Sequence, residues 1–100
     1  MIFLTQLIYL IEGQEETFHE FENTAIPLMK DYGGNIIQRI RPQSESFIEG
    51  DAEKPYEIHI ISFESETQFQ AFLKDPRRQK SKHLKEQSVS KTILVKGHKI

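Results

Sequence analysis

The chain contains no cysteine. Disulfides, thiolate metal sites and a cysteine nucleophile are all excluded, and a reducing compartment, the cytoplasm, is the expected location. Long hydrophobic runs are missing too. The longest apolar stretch, Met1 to Ile11, is too short to span a bilayer. No lysine or arginine precedes it, no small-residue cleavage site follows, and Glu12 ends it. It therefore reads as a buried strand and not as a secretory leader. Low-complexity tracts and internal repeats are absent, as are a phosphate-cradling glycine loop, a serine nucleophile elbow and a dinucleotide fingerprint. Gly33-Gly34 follows a predicted helix instead of opening one, so it lacks the dipole geometry that phosphate binding needs.

Charge excess is small, a net −2 over 100 residues, enough chain for one domain with one core. The charge is unevenly spread. Acids dominate up to Glu66, whereas Lys74, Arg77, Arg78, Lys80, Lys82 and Lys85 crowd one later stretch. That stretch has no interleaved aromatics and the chain is mildly acidic overall, so nucleic acid is not an expected partner. Docking against acidic groups of a partner protomer is the competing account.

What is present begins with that first stretch. Ile2, Phe3, Leu4, Leu7, Ile8, Leu10 and Ile11 are apolar at odd and even positions alike, so both faces of this strand need cover. Gln14 to Tyr32 carries Phe18, Phe21, Ala25, Leu28, Met29 and Tyr32 at helical spacing. Glu15 and Glu16 sit in its first turn, Pro27 should kink or divide it near Thr24, and Gly33 suits a left-handed cap.

Asn35 to Arg41 reads as a second strand. Strict alternation sends Ile36, Gln38 and Ile40 one way and Ile37, Arg39 and Arg41 the other. A polar connection, Gln43 to Lys54, has room for a short hairpin. Tyr56 to Phe63 is a third strand, with Tyr56, Ile58 and Ile60 on one side and Glu57, His59, Ile61 and Phe63 on the other.

Ser65 and Gln68 form a capping-box pattern opening a second helix, which Asp75-Pro76 interrupts. Arg77 to Gln87 continues as exposed helical turns, and Val89 to Lys96 is a last strand with Val89, Ile93 and Val95 on one face. Strand, helix, strand, strand, helix, strand is the ferredoxin-like βαββαβ order: an α+β fold with a four-stranded antiparallel sheet and two helices on one face. Two helices cover one face only. The other would expose more apolar surface than a soluble monomer normally tolerates, which predicts a homodimer through the helix-free sheet face.

An ordered set of landmarks carries a family likeness. Pro27-Leu28, Tyr32-Gly33-Gly34, Arg39, Glu49-Gly50-Asp51, Pro55, and Ile58 to Phe63 with Ser65 resemble a small family of bacterial domains of unknown function. That family lies in the dimeric α+β barrel superfamily, whose relatives include antibiotic-biosynthesis monooxygenases. The likeness runs from about Ile8 to Pro76 and implies a ferredoxin-like protomer in a dimeric barrel. Where the family tends to follow the arginine with two glycines, this chain has Ile40-Arg41. Where relatives often carry a tyrosine after the second helix, it has Arg77-Arg78.

The strongest chemical constellation is Arg39 and Arg41 on one strand beside Glu57 and His59 on its neighbour. It makes either an anion-binding pocket with a general base or a structural salt-bridge cluster at a barrel rim or dimer seam. In the first case His59 and Arg39 are the candidate catalytic residues: His59 accepts a proton and Arg39 steadies an enolate. Arg41, Glu57, Glu49 and Tyr32 are the candidate ligand-binding residues. Glu49 could also be kept for loop geometry, and Tyr32 for the core. His19, near Glu15, Glu16, Glu20 and Glu22, has no recognised ligand spacing and reads as part of a solvated acidic helix face, so no metal site is expected. No cofactor is expected either. The leading expectation is a homodimer binding a small anionic or aromatic molecule between sheet and helices. The alternatives are a cofactor-independent monooxygenase or isomerase-like enzyme, and a structural or regulatory module without ligand.

Overall fold

A computed structural model describes residues 1–100. Four strands, β1 (Ile2–Leu10), β2 (Gly34–Ile40), β3 (Glu57–Phe63) and β4 (Val89–His98), form one sheet in the order β2-β3-β1-β4. All three pairings are antiparallel. Helix α1 (Glu15–Leu28) follows β1, while α2 (Glu66–Leu73), α3 (Pro76–Lys80) and α4 (Lys82–Ser88) fill the segment between β3 and β4. This is the ferredoxin-like α+β arrangement. No helix is long and apolar enough to cross a membrane.

The helices cover one face, and the core divides there. Ile2, Leu4, Ile61 and Phe63 pack with Leu28, Met29 and Phe72 at one end. Ile8 packs with Phe18, Phe21 and Ala25 at the other. Gly34 is tied to the first cluster, because a Cβ there would come within 2.7 Å of the Phe63 ring. The opposite face carries Phe3, Leu7, Ile58 and Ile60, with Ile40, Ile93 and Val95 at 40%, 45% and 60% exposure.

Several local expectations change. Pro27 does not divide α1 near Thr24. It stands in the last α-helical turn, and the chain tightens into a 3-10 turn, Met29–Tyr32, capped by Gly33 at φ +70°. The helix runs through Pro27 without the N–H bond that position would otherwise make four residues back. The 43–54 connection contains a single 3-10 turn, Ser44–Ser46, and no hairpin. After α2 the chain makes two short helices, and they are not merely exposed turns: Ser81 and Ser88 are buried, and Leu84 packs on the core. Asp75 caps α3 by accepting the Arg77 backbone N–H at 2.7 Å.

Strict alternation fails at three places. Tyr56 lies just before β3 and packs on Phe18 and the helix-side core instead of joining Ile58 and Ile60; at the other two places a bulge is the reason. In β2, Ile36 pairs with Ile61 and Gln38 with Ile60, leaving Ile37 as an extra residue. Ile36 and Arg39 therefore share the helix-covered face although their parity differs. In β4 the register shifts beside Ser90, so Val89 joins the helix-side core while Ile93 and Val95 face away.

Candidate functional site

Between the two core clusters one row of the sheet is polar. Arg39, His59 and Gln6 are neighbours in register across β2, β3 and β1, and Leu94 of β4 completes the row. Glu57 stands one pleat away from His59 on the same face. Glu22 descends onto this row from α1, because it lies four residues after Phe18 and three before Ala25, on the buried stripe.

The five side chains form one connected set. His59 Nε2 lies 2.6 Å from Glu57 Oε1 and 3.2 Å from Glu22 Oε2. Arg39 donates from Nε to Glu57 Oε1 at 2.7 Å and from Nη2 to Glu22 Oε1 at 2.6 Å. Arg41 donates from Nη2 to Glu57 Oε2 at 2.7 Å, and its guanidinium lies 4.9 Å from the centre of the Tyr56 ring. Glu22, Glu57 and His59 are buried, whereas the two arginines are half exposed.

Electrostatics separates the two acids. Burial alone would raise the Glu57 carboxyl, but hydrogen bonds led by His59, with Arg39 and Arg41 contributing, hold it well below the usual carboxylate range. Glu22 is raised instead, chiefly by burial and further by repulsion from Glu57, against the pull of His59 and Arg39. His59 is pushed down by burial and more strongly up by Glu22 and Glu57, ending raised. His59 Nε2 lies closer to Glu57 than to Glu22, and Glu22 Oε2 is buried without a hydrogen bond.

Glu22, Glu57 and His59 bring ligand-type atoms within 4.8 Å of one another. Both oxygens of Glu57 and one of Glu22 already hold guanidinium groups, which a divalent cation would have to displace. The arrangement fits an ion-pair set better than a metal centre.

A cavity of about 260 Å³ opens between sheet and helices against this set. Phe18, Phe21, Phe63, Phe69 and Phe72 dominate its wall, with Glu22, His59 and Gln6 supplying polar groups. Of the six residues singled out from sequence, only His59 lines it. Arg39, Arg41 and Glu57 gather around His59, outside the cavity wall. Tyr32 donates its hydroxyl proton to Asp75 Oδ2 at 2.6 Å and packs on Phe72, so its polar tip is engaged in the scaffold. Glu49 is exposed in the 47–54 loop and joins neither the cluster nor the cavity.

Glu22 is the residue that the sequence reading placed on a solvated acidic face. It is 2% exposed, and its position within the apolar stripe was the available signal. His19 is not simply solvated either, since its Nε2 lies 2.7 Å from the Tyr56 hydroxyl. Arg78 and Lys85, expected on exposed helical turns, also line the cavity.

The geometry matches known folds over nearly the whole chain. A protein of unknown function from Rhodopseudomonas palustris superposes with a TM-score of 0.83 at 15% identity, over 99% of this chain and 82% of that one. A dimeric protein of unknown function and ferredoxin-like fold from Bacteroides fragilis gives 0.69 at 9% identity, over 96% and 93%. A candidate antibiotic biosynthesis monooxygenase from Nitrosomonas europaea gives 0.72 at 9% identity, over 100% and 99%. Among curated proteins none matches the chain. Residues 9–98 match the domain of unknown function DUF1330, further toward the C-terminus than the landmarks alone reach. The chain therefore belongs to the DUF1330 family.

Proposed function

We propose that this protein is a cytoplasmic homodimer that binds a small anionic or aromatic organic molecule in the cavity between sheet and helices. One observation carries the reading. A space walled by five phenylalanines ends on two buried titratable groups, Glu22 and His59. Ligand sites combine an apolar wall with a few convergent polar groups in this way. In this reading Arg39 and Arg41 are positioning residues: they fix the carboxylates, and through them His59. The dimer is supported by the apolar helix-free face and by the dimeric state described for the B. fragilis protein.

Glu22 Oε2 favours a second reading, a proton-transfer enzyme of the isomerase type. A buried carboxylate oxygen on a cavity wall that makes no hydrogen bond and has His59 Nε2 3.2 Å away can take a proton from a bound compound, with His59 and Arg39 balancing the charge.

A thermal-shift screen of small phenols and aromatic acids tests the binding reading, with Ala25→Leu as control. Ala25 lines the cavity, so the larger side chain occupies the space a ligand needs. The melting temperature of wild type should rise progressively, as the logarithm of ligand concentration above Kd, and that of the variant should not. Equal shifts in both proteins, or none in wild type, would overturn it.

A further inference from the structure

The cavity is not closed on all sides. A second, more open cleft of about 420 Å³ lies over α3, α4 and β4. Leu73, Arg78, Lys85, Val89 and Thr92 line both spaces, so cavity and cleft meet at these residues. Lys82 and Lys91 flank the outer side of this mouth. His59 on β3 and Leu94 on β4 bound the cavity in the same cross-strand row, two strands apart. At the usual strand spacing that is a span of roughly 10 Å.

Charge at the mouth is unbalanced. The Arg78 guanidinium lies over Phe72 and Phe21, at 5.2 and 5.8 Å from the ring centres, and its Nε is buried with no hydrogen-bond partner. Lys85 faces the same space. Two neighbouring cations are paired: Arg77 with Asp75 and Asp31, and Lys82 with Glu86. Arg78 and Lys85 form no ion pair. Burial lowers both, and Lys85 is lowered further by Arg78 and Lys82. Glu86 is the one acid on the cleft wall, and it lies with Lys82. Two part-buried cations side by side without a counter-charge leave the mouth short of an anion.

We infer that Arg78 and Lys85 receive the anionic group of the ligand, so that an amphiphilic organic acid enters ring first and its carboxylate stays at the mouth. This inference rests on the cavity reading above and adds which residues hold the anionic group and how the ligand is oriented. The aromatic wall takes the apolar body, Glu22 and His59 meet the inner end, and the guanidinium and ammonium hold the carboxylate in a partly desolvated setting where the pairing is strong. The anion-holding part that the sequence suggests for Arg39 and Arg41 thus falls to another pair, since those two guanidiniums already hold Glu57 and Glu22.

Calorimetric titration with 3-phenylpropionate and with its uncharged primary amide tests this on the full chain. Wild type should bind the acid at least tenfold more tightly than the amide. Arg78→Gln and Lys85→Gln, which break no ion pair, should bring the ratio of acid affinity to amide affinity down to about one. Lys85→Glu should turn the preference toward the cationic 3-phenylpropylamine. Equal affinity of acid and amide for wild type overturns the inference while leaving the cavity reading intact. Failure of both compounds to bind removes both. A preference for the acid that survives Arg78→Gln and Lys85→Gln also overturns it, placing the anion elsewhere.

Discussion

Glu57 and His59 stand two residues apart on β3, point the same way, and are hydrogen-bonded to each other at 2.6 Å. Only an extended strand makes this contact natural, because alternate side chains share a face. The pair is the base of the polar layer: Arg39 of β2 and Arg41 just past its end add two guanidiniums from one side, and α1 adds a second carboxylate from above.

Glu57 should therefore be the most sensitive position in the layer. Glu57→Ala strands Arg39, Arg41 and His59 without their common acceptor. We expect a loss of about 3 kcal/mol, the low end for breaking a buried pair, because the two arginine side chains are 40% and 48% exposed. The melting temperature should fall by roughly 15 °C for a domain of this size. Denaturant unfolding showing a loss under about 1 kcal/mol would contradict the role given to the cluster.

The same groups set a pH profile. Glu57, depressed in the fold, stabilises above its unfolded value of about 4.3 and loses that contribution as pH falls through its folded value. Glu22 and His59, both raised, contribute fully below about 4.3 and about 6.5 and lose it as pH rises through their folded values. Stability from the cluster should peak in mildly acidic solution. Melting temperatures across pH should show this, and Glu22→Gln should flatten the alkaline descent. An unchanged slope in that variant would remove Glu22 from the account.

Gly34 separates backbone geometry from charge. A Cβ there would lie 2.6 and 2.7 Å from Phe63 ring atoms and 3.0 Å from the Met29 carbonyl oxygen. Phe63 is wholly buried, so its ring has nowhere to retreat. Gly34→Ala should cost about 2 kcal/mol by overpacking, read from the denaturant midpoint at unchanged slope. A neutral result would mean that the 3-10 turn and β2 shift apart freely.

Val95 reports on the apolar sheet face. It is 60% exposed in the protomer, so Val95→Glu should leave the fold intact while placing a carboxylate in a dimer seam. Sedimentation at micromolar concentration should give a dimer for wild type and a monomer for the variant. A wild-type monomer, or a variant that stays dimeric, would remove the interface from this face.

Much of this was legible in the chain. Alternation along β3 correctly sorted Glu57, His59, Ile61 and Phe63 from Ile58 and Ile60, and with them the meeting of Arg39, Arg41 and Glu57. The bulges at Ile37 and Ser90 were not legible, since an extra residue is defined by what lies opposite it. Glu22 and Arg78 were missed for a related reason. Acids on a helix and arginines in a basic run normally face water, and only tertiary neighbours, His59 for one and Phe72 for the other, reverse that default.

The doubled residue at Ile37 makes β2 forgiving at one point and brittle at another. Deleting Ile37 leaves an unbroken ladder in which Ile36 still meets Ile61 and Arg39 still meets His59, so both arginines keep their targets. Deleting Ile40 turns Arg41 over and takes its guanidinium away from Glu57. Two shortenings of equal length, three positions apart, thus have opposite consequences for the ionic layer.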